Sequence, residues 1–225
     1  MRQLNVVEIQ RTFYRPVPIE TAKRWREWAP ADFDFSVKAS QFITQEETSP
    51  TYRRSGLRRP LKPDRYGSFR DTEEVRRGWE ATRAVADALG ARAIVFQCPA
   101  SFTPSPENVR NFYRFFESIE TTAAKVWEPR GPWASHIVDK FCADLGLVHS
   151  VDPFASEPAT SGLAYFRLHG SPPGPRNYNY TYTDADLERL LAICREYDDA
   201  FVLFNNVTLH ADAVRFRRLV GAAKV

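Results

Sequence analysis

Residues 71–97 read DTEEVRRGWEATRAVADALGARAIVFQ, and the fold turns on this stretch. Asp71 and Glu74 have the spacing of a capping box. Val75, Trp79, Thr82, Val85, Ala86 and Leu89 recur at helical intervals and form one packing face. Gly90 suits a left-handed C-terminal cap. Directly after it, Ala93 to Gln97 is a short apolar run that stops on an amide. A helix handed by a glycine into a buried strand is the repeating step of a parallel α/β sheet.

The same step recurs on both sides. Downstream, Ser105 and Pro106 open a helix whose face is Val109, Phe112, Phe116 and Ile119, and Ala123 to Glu128 reads as a strand. Ile137, Phe141 and Leu145 make the stripe of another helix, closed by Gly146, and Leu147 to Val151 follows as a strand. Tyr165 to Leu168 is a strand reached through a turn-rich connector with no helix. Thr183 caps a helix carrying Leu187, Leu190, Leu191 and Cys194. Phe201 to Phe204 is the last strand and 209–221 the closing helix. Upstream, Leu4 to Ile9 is a strand, Pro16 and Pro18 lead into a helix through Trp28, and the alternating segment Asp32 to Ala39 is a second strand. Residues 40–70 are polar without periodicity, and so long a loop is expected to be functional or mobile. Seven strands alternating with helices favour a TIM-type (β/α) barrel over an open sheet, as a single domain over residues 1–225.

Composition sets the remaining bounds. The chain has 225 residues, close to the roughly 250 of a single α/β barrel. Its apolar fraction of 43% fills a substantial core. Cys98, Cys142 and Cys194 are far apart and odd in number, which argues against a disulfide framework or a CxxC metal site. With no secretory leader and no apolar run near the ~20 residues of a membrane span, a soluble cytoplasmic protein is expected. The net charge is +3, with basic residues gathered at Arg53, Arg54, Arg58, Arg59, Lys62 and Arg65. There is no GxSxG elbow, Walker A loop or GxGxxG fingerprint. Gly170-Ser-Pro-Pro-Gly174 is too rich in proline to present consecutive amides to a phosphate and reads as a rigid lip.

A series of motifs then resembles one family. Val7-Glu8-Ile9 followed by Thr12-Phe13-Tyr14-Arg15-Pro16 is similar to the "VEIN-x-TFYR-x-P" signature of the DUF72, or YecE-like, proteins. Phe35-Ser36-Val37-Lys38-Ala39, Phe96-Gln97-Cys98-Pro99 with Phe102, and Trp127-Glu128-Pro129-Arg130 with Trp133 resemble its next motifs in order. Asp152, Phe166-Arg167-Leu168-His169-Gly170, Tyr178, Tyr182 and Phe204-Asn205-Asn206 complete the series. The resemblance implies a TIM-type barrel, loosely related to sugar isomerases, with a polar cleft at the C-terminal face. Gln10 replaces the family's Asn, Glu128-Pro-Arg-Gly replaces "EFR", and the family's usual first strand and helix before "VEIN" have no counterpart, so that either the gene start lies too far downstream or the barrel has seven strands.

Every strand ends on a group that can do chemistry, and parallel α/β folds build their sites at those ends. Glu8, Glu128 and Asp152 supply carboxylates; Lys38, Arg130, Arg167 and His169 supply cations and an imidazole. Gln97, Asn205 and Asn206 offer amides, and Tyr14, Tyr178 and Tyr182 offer aromatic faces with hydroxyl tips. Arg15 of the family motif joins them. The set suits a hydroxylated small anion, sugar-like or phosphorylated. Glu8 or Glu128 as base, Lys38 as electrophilic partner and His169 as a second proton carrier fit isomerase-type enolisation without a cofactor. A metal on Glu8, Glu128, Asp152 and His169 is an alternative, opposed by the cations around it and by the absence of a ligand spacing. Cys98 as nucleophile, with His169 as base, is another; a packed thiol is the plainer reading. Two functions of other classes stay open. One is nucleic-acid binding through the basic segment 53–65, with Tyr52 and Tyr66 for stacking. The other is a non-catalytic binding scaffold.

Overall fold

The computed structural model describes residues 3–58, 60–170 and 177–222. Arg59 of the basic cluster and residues 171–174 of the proline-rich segment lie outside the described residues. The elements are β1 (Val6–Ile9), α1 (Arg11–Tyr14), α2 (Ile19–Trp28), β2 (Asp34–Lys38), α3 (Gln41–Thr44), α4 (Glu73–Leu89), β3 (Ala93–Gln97) and α5 (Pro106–Ser118). They continue with β4 (Ala124–Glu128), α6 (Ser135–Leu145), β5 (Leu147–Val151), β6 (Leu163–Leu168), α7 (Asp184–Cys194), β7 (Asp199–Phe204) and α8 (Leu209–Ala222). The strands lie in the order β1 to β7, and the fold is α/β, of the TIM-type (β/α) barrel class. Seven strands are found among the described residues, against the eight of the full pattern. No helix is long and apolar enough to cross a membrane.

The chain gathers into two compact units, Glu8–Leu147 and Met1–Val7 with Val148–Val225. In the first, β2, β3 and β4 pair in parallel, Lys38 beside Val95 and Gln97 beside Glu128. This register sets Gln97 level with Glu128 and places Lys38 two residues lower, beside Val95. The core beneath is aromatic. Phe112 stands 4.7 Å from both Phe116 and Trp127, and Phe69 meets Phe102 and Phe112 at 5.2 and 5.0 Å. Burying each ring contributes about 1.5–3 kcal/mol. In the second unit β5, β6 and β7 pair in parallel, with Leu168 beside Phe204. Phe166, Leu168, Leu187, Leu190 and Phe216 pack between the strands and α7 and α8.

Two expectations change. The cap of α4 is Thr72, whose hydroxyl accepts the Val75 N–H at 3.3 Å, and not the Asp71–Glu74 pair. Glu74 instead binds Arg65 Nε at 2.8 Å. Residues 40–70 are also more ordered than their composition suggests. They contain α3 and a 3-10 turn at Pro50–Arg54, and Tyr52 and Phe69 anchor them with 1% of each side chain exposed. Gly90 and Gly146 end their helices in the left-handed conformation, as expected.

Candidate functional site at the strand ends

In the unit Glu8–Leu147 the ends of β2, β3 and β4 carry one connected chain of side chains. Lys38 Nζ donates to Gln97 Oε1 at 2.6 Å, and Gln97 Nε2 donates to Glu128 Oε1 at 2.9 Å. Arg130 Nε reaches the same Glu128 oxygen at 2.6 Å. Lys38 is 7% exposed and Glu128 6%. Charges this buried are held only when paired and hydrogen-bonded. The Lys38 ammonium also lies 4.2 Å from the centre of the Phe13 ring, a cation–π contact of about 0.5–2 kcal/mol. Thr12 Oγ1 donates to the Lys38 carbonyl at 2.7 Å and fixes the strand end. Gln45 Nε2 approaches the Gln97 carbonyl at 3.4 Å. Glu8, half-buried at β1, accepts a hydrogen bond from the Gln10 amide, so the residue that departs from the family's Asn acts on the Glu8 carboxylate.

Tyr14 and Arg15 stand apart from this chain. The Arg54 guanidinium covers the Tyr14 ring at 3.8 Å, and Arg15 Nε donates to the Arg54 carbonyl at 2.6 Å. Tyr52, expected as a stacking surface, is buried, and its hydroxyl donates to the Gln41 and Gln45 carbonyls at 3.2 and 2.9 Å. Tyr66 packs edge-on against it at 5.4 Å. Tyr52 is therefore an anchor of the segment and offers no face to a base. Cys98 is 1% exposed and accepts from Trp127 Nε1 at 3.3 Å. Burial pushes its thiol well above the usual range, against the Trp127 hydrogen bond that lowers it. It is a packed thiol rather than a ready nucleophile.

In the unit holding β5 to β7, Asp152 accepts the His169 N–H at 2.8 Å and the Phe154 N–H at 3.1 Å. Its carboxyl is raised from the ordinary value, because burial outweighs these two donors. The His169 ring stands edge-on to Tyr178 at 6.0 Å. Arg167 and His169 are buried at the end of β6, 2% and 7% exposed. Asn205 caps its own strand, Nδ2 to the Leu203 carbonyl at 3.3 Å. Tyr182 and Asn206 turn inward. Tyr182 is fully buried, its hydroxyl accepting the Gly170 N–H at 2.8 Å. Asn206 Nδ2 serves Asp212 Oδ2 at 2.6 Å, the Tyr180 carbonyl at 2.8 Å and Thr208 at 2.9 Å. Asp212, fully buried, also binds Arg215 at 3.0 Å. These two residues have the geometry of supports rather than of ligand contacts.

Sequence reasoning quoted Thr12 and Phe13 within a motif but gave them no role, and it missed Gln45, Asp212 and Arg215. The Asp212–Arg215 spacing of three at the start of a helix is the one signal that pointed to a pair. Among the described residues no three His, Cys, Asp or Glu side chains converge closely enough to hold a metal ion.

The family model described as "Protein of unknown function DUF72" matches residues 1–224. No curated protein matches the chain. The structure is similar to that of a DUF72 family protein from Enterococcus faecalis V583, with a TM-score of 0.70, 17% identity, and 96% of this chain and 85% of that one covered. A DUF72 family protein from Thermotoga maritima MSB8 gives a TM-score of 0.67 at 19% identity with the same coverages. SacUVDE shares the fold at a TM-score of 0.58 and 8% identity, over 92% of this chain and 72% of that one. The motifs at the ends of β1 to β4, the strand order and the near-complete match agree: the chain belongs to the DUF72 family.

Proposed function

We propose that this protein binds a small, hydroxylated anion, sugar-like or phosphorylated, at the C-terminal ends of its strands and moves a proton on it. The chain Lys38–Gln97–Glu128–Arg130 carries the reading. A buried ammonium and a buried carboxylate, joined by an amide that orients both, are an arrangement for polarising a carbonyl and managing the proton beside it. Glu8 or Glu128 takes the proton from the carbon next to the substrate carbonyl. Lys38 donates a hydrogen bond to the oxygen as negative charge gathers there. The same carboxylic acid then returns the proton to the former carbonyl carbon, while the proton of the adjacent hydroxyl passes to the former carbonyl oxygen, so that the carbonyl moves over by one carbon. Arg130 holds the anionic group and Gln97 its hydroxyls; by themselves, Arg167, Asn205 and Tyr178 at the ends of β6 and β7 offer the same chemistry to an anion. In the unit of β6 and β7, Asp152 holds the His169 backbone N–H, and His169 is that unit's own proton carrier. Three cysteines outside any disulfide fit a reducing, cytoplasmic setting.

The test is deuterium wash-in. Aldose and ketose phosphates are incubated with the protein in D2O and followed by NMR, beside a thermal-shift panel of the same compounds. Stabilisation by one of them, with exchange at the carbon next to its carbonyl that Glu128→Gln and Lys38→Met abolish, is the expected result. Binding without exchange turns the protein into a non-catalytic scaffold. No stabilisation by any sugar phosphate, or exchange untouched by both substitutions, removes the reading.

A further inference from the structure

Four arginines of this protein share one hollow and have no acidic partner there. The hollow has a volume of about 520 Å3 and is lined by Gln10, Arg11, Tyr14, Arg15, Arg53 and Arg54. No carboxylate is in its wall. Several arginines elsewhere in the same unit are compensated: Arg65 by Glu74 at 2.8 Å, Arg92 by Asp34 at 2.9 Å and Arg130 by Glu128 at 2.6 Å. Among the described residues, Arg11, Arg15, Arg53 and Arg54 make no ion pair within 4.0 Å. Two of them are nevertheless fixed in place. Arg54 Cζ lies over the Tyr14 ring at 3.8 Å, and Arg15 is held through Nε by the Arg54 carbonyl at 2.6 Å.

Gathering like charges without counter-charge is unfavourable in the empty groove and becomes favourable once an anion enters. We infer that this groove is a second binding site, for a compact ligand carrying two or more linked phosphates. Guanidinium forks match phosphate oxygens in pairs. Four of them exceed what one carboxylate or one monophosphate can use. The volume lies within the roughly 300–1,000 Å3 of small-molecule sites. The one aromatic ring in the wall is already covered by Arg54, so the groove has no bare face on which a base could stack; that favours recognition of the phosphates alone over a single-stranded nucleic acid. The inference stands apart from the strand-end chemistry, which uses other residues.

Calorimetric titration of the full chain with pyrophosphate, orthophosphate and a twelve-residue oligothymidylate tests it, at low and at physiological salt. Pyrophosphate should bind more tightly than orthophosphate, and weaken with salt. Arg11→Gln with Arg53→Gln should lower its affinity by about tenfold or more, since each loses charge-assisted hydrogen bonds. Among the described residues neither side chain makes a hydrogen bond, so the substitutions should leave the melting temperature unchanged. Arg53→Lys should fall between, keeping the charge and losing the fork. Lys38→Met should bind pyrophosphate as the parent does, which separates this site from the strand ends. No pyrophosphate binding, binding indifferent to the double substitution, binding lost in Lys38→Met, or oligonucleotide binding that pyrophosphate does not displace would each overturn the assignment.

Discussion

Backbone geometry at Gly67 decides whether the segment 40–70 can close. Its φ is +74, and a Cβ built there would lie 2.3 Å from the carbonyl carbon of Gln45. The turn leads into Ser68 and Phe69, which hold φ of 47 and 54 although neither is glycine. A bulky residue in that region is strained, and burial of the Phe69 ring is what holds it. Gly90 has a similar φ of +58, with nothing within 4 Å. Gly90→Ala should therefore cost about 1 kcal/mol from backbone conformation alone. Gly67→Ala should cost about 2–4 kcal/mol, and urea unfolding of the two variants measures the difference; equal losses would show that the clash is relieved. Asp152 gives a residue-scale test in pH. Its carboxyl is raised from 3.8 by burial, in spite of the His169 and Phe154 N–H groups. A raised carboxyl favours folding below its unfolded value and loses that contribution as pH rises through the folded one. The stability advantage of the parent over Asp152→Asn should thus be largest below about pH 4 and shrink towards neutrality. An advantage that grows with pH across urea titrations would contradict the assignment.

Elements were legible wherever a period had room to show. β3 and β5 run Ala93–Gln97 and Leu147–Val151, as their apolar runs read, and α5 begins after Ser105 with Pro106 in its first turn. α1 and α3 have four residues each, too few for any periodicity, and they disappeared into apparent loop. The α4 cap was misread because two adjacent residues, Asp71 and Thr72, are both good caps, and only geometry chooses the one with the free hydroxyl at Val75. The cap of α7 was read correctly and is more elaborate than expected. Thr183 Oγ1 accepts the Asp186 N–H at 3.2 Å, while Asp186 accepts the Thr183 N–H at 2.8 Å and the Tyr180 hydroxyl at 2.6 Å. Thr183→Ala should destabilise the protein by about 1 kcal/mol, and Thr183→Ser by far less, by thermal or urea unfolding. Equal losses in both would mean that the methyl group, and not the hydroxyl, matters.

At the scale of the molecule, the sequence located the strand ends but not the roles there. Gln97 and Glu128 met because parallel register levels the ends of β3 and β4, and Lys38, two residues lower beside Val95, reaches Gln97 with its long side chain. Which polar residue turns outward is a matter of packing. Asn206 and Tyr182 sit in the same kind of position as Gln97 and Tyr178, yet Asp212, six residues beyond Asn206 and on α8, draws Asn206 inward. The three thiols distinguish a site from a core in the same way. Cys98 and Cys142 are buried, and Cys194 is half-buried. Burial pushes Cys194 up to about 12, and burial with the Asp139 charge takes Cys142 to about 12 as well. At pH 8 such thiols are ionised at only about one part in ten thousand, and the thiolate is the reactive form. Labelling of the folded protein with a thiol reagent should therefore be slow at all three positions, slowest at Cys98, and should accelerate with urea as the units open. Peptide mapping of the labelled chain assigns each rate. Rapid modification of Cys98 in the folded protein would mean that its surroundings expose and ionise it, and would restore the nucleophile that its packing against Trp127 now argues against.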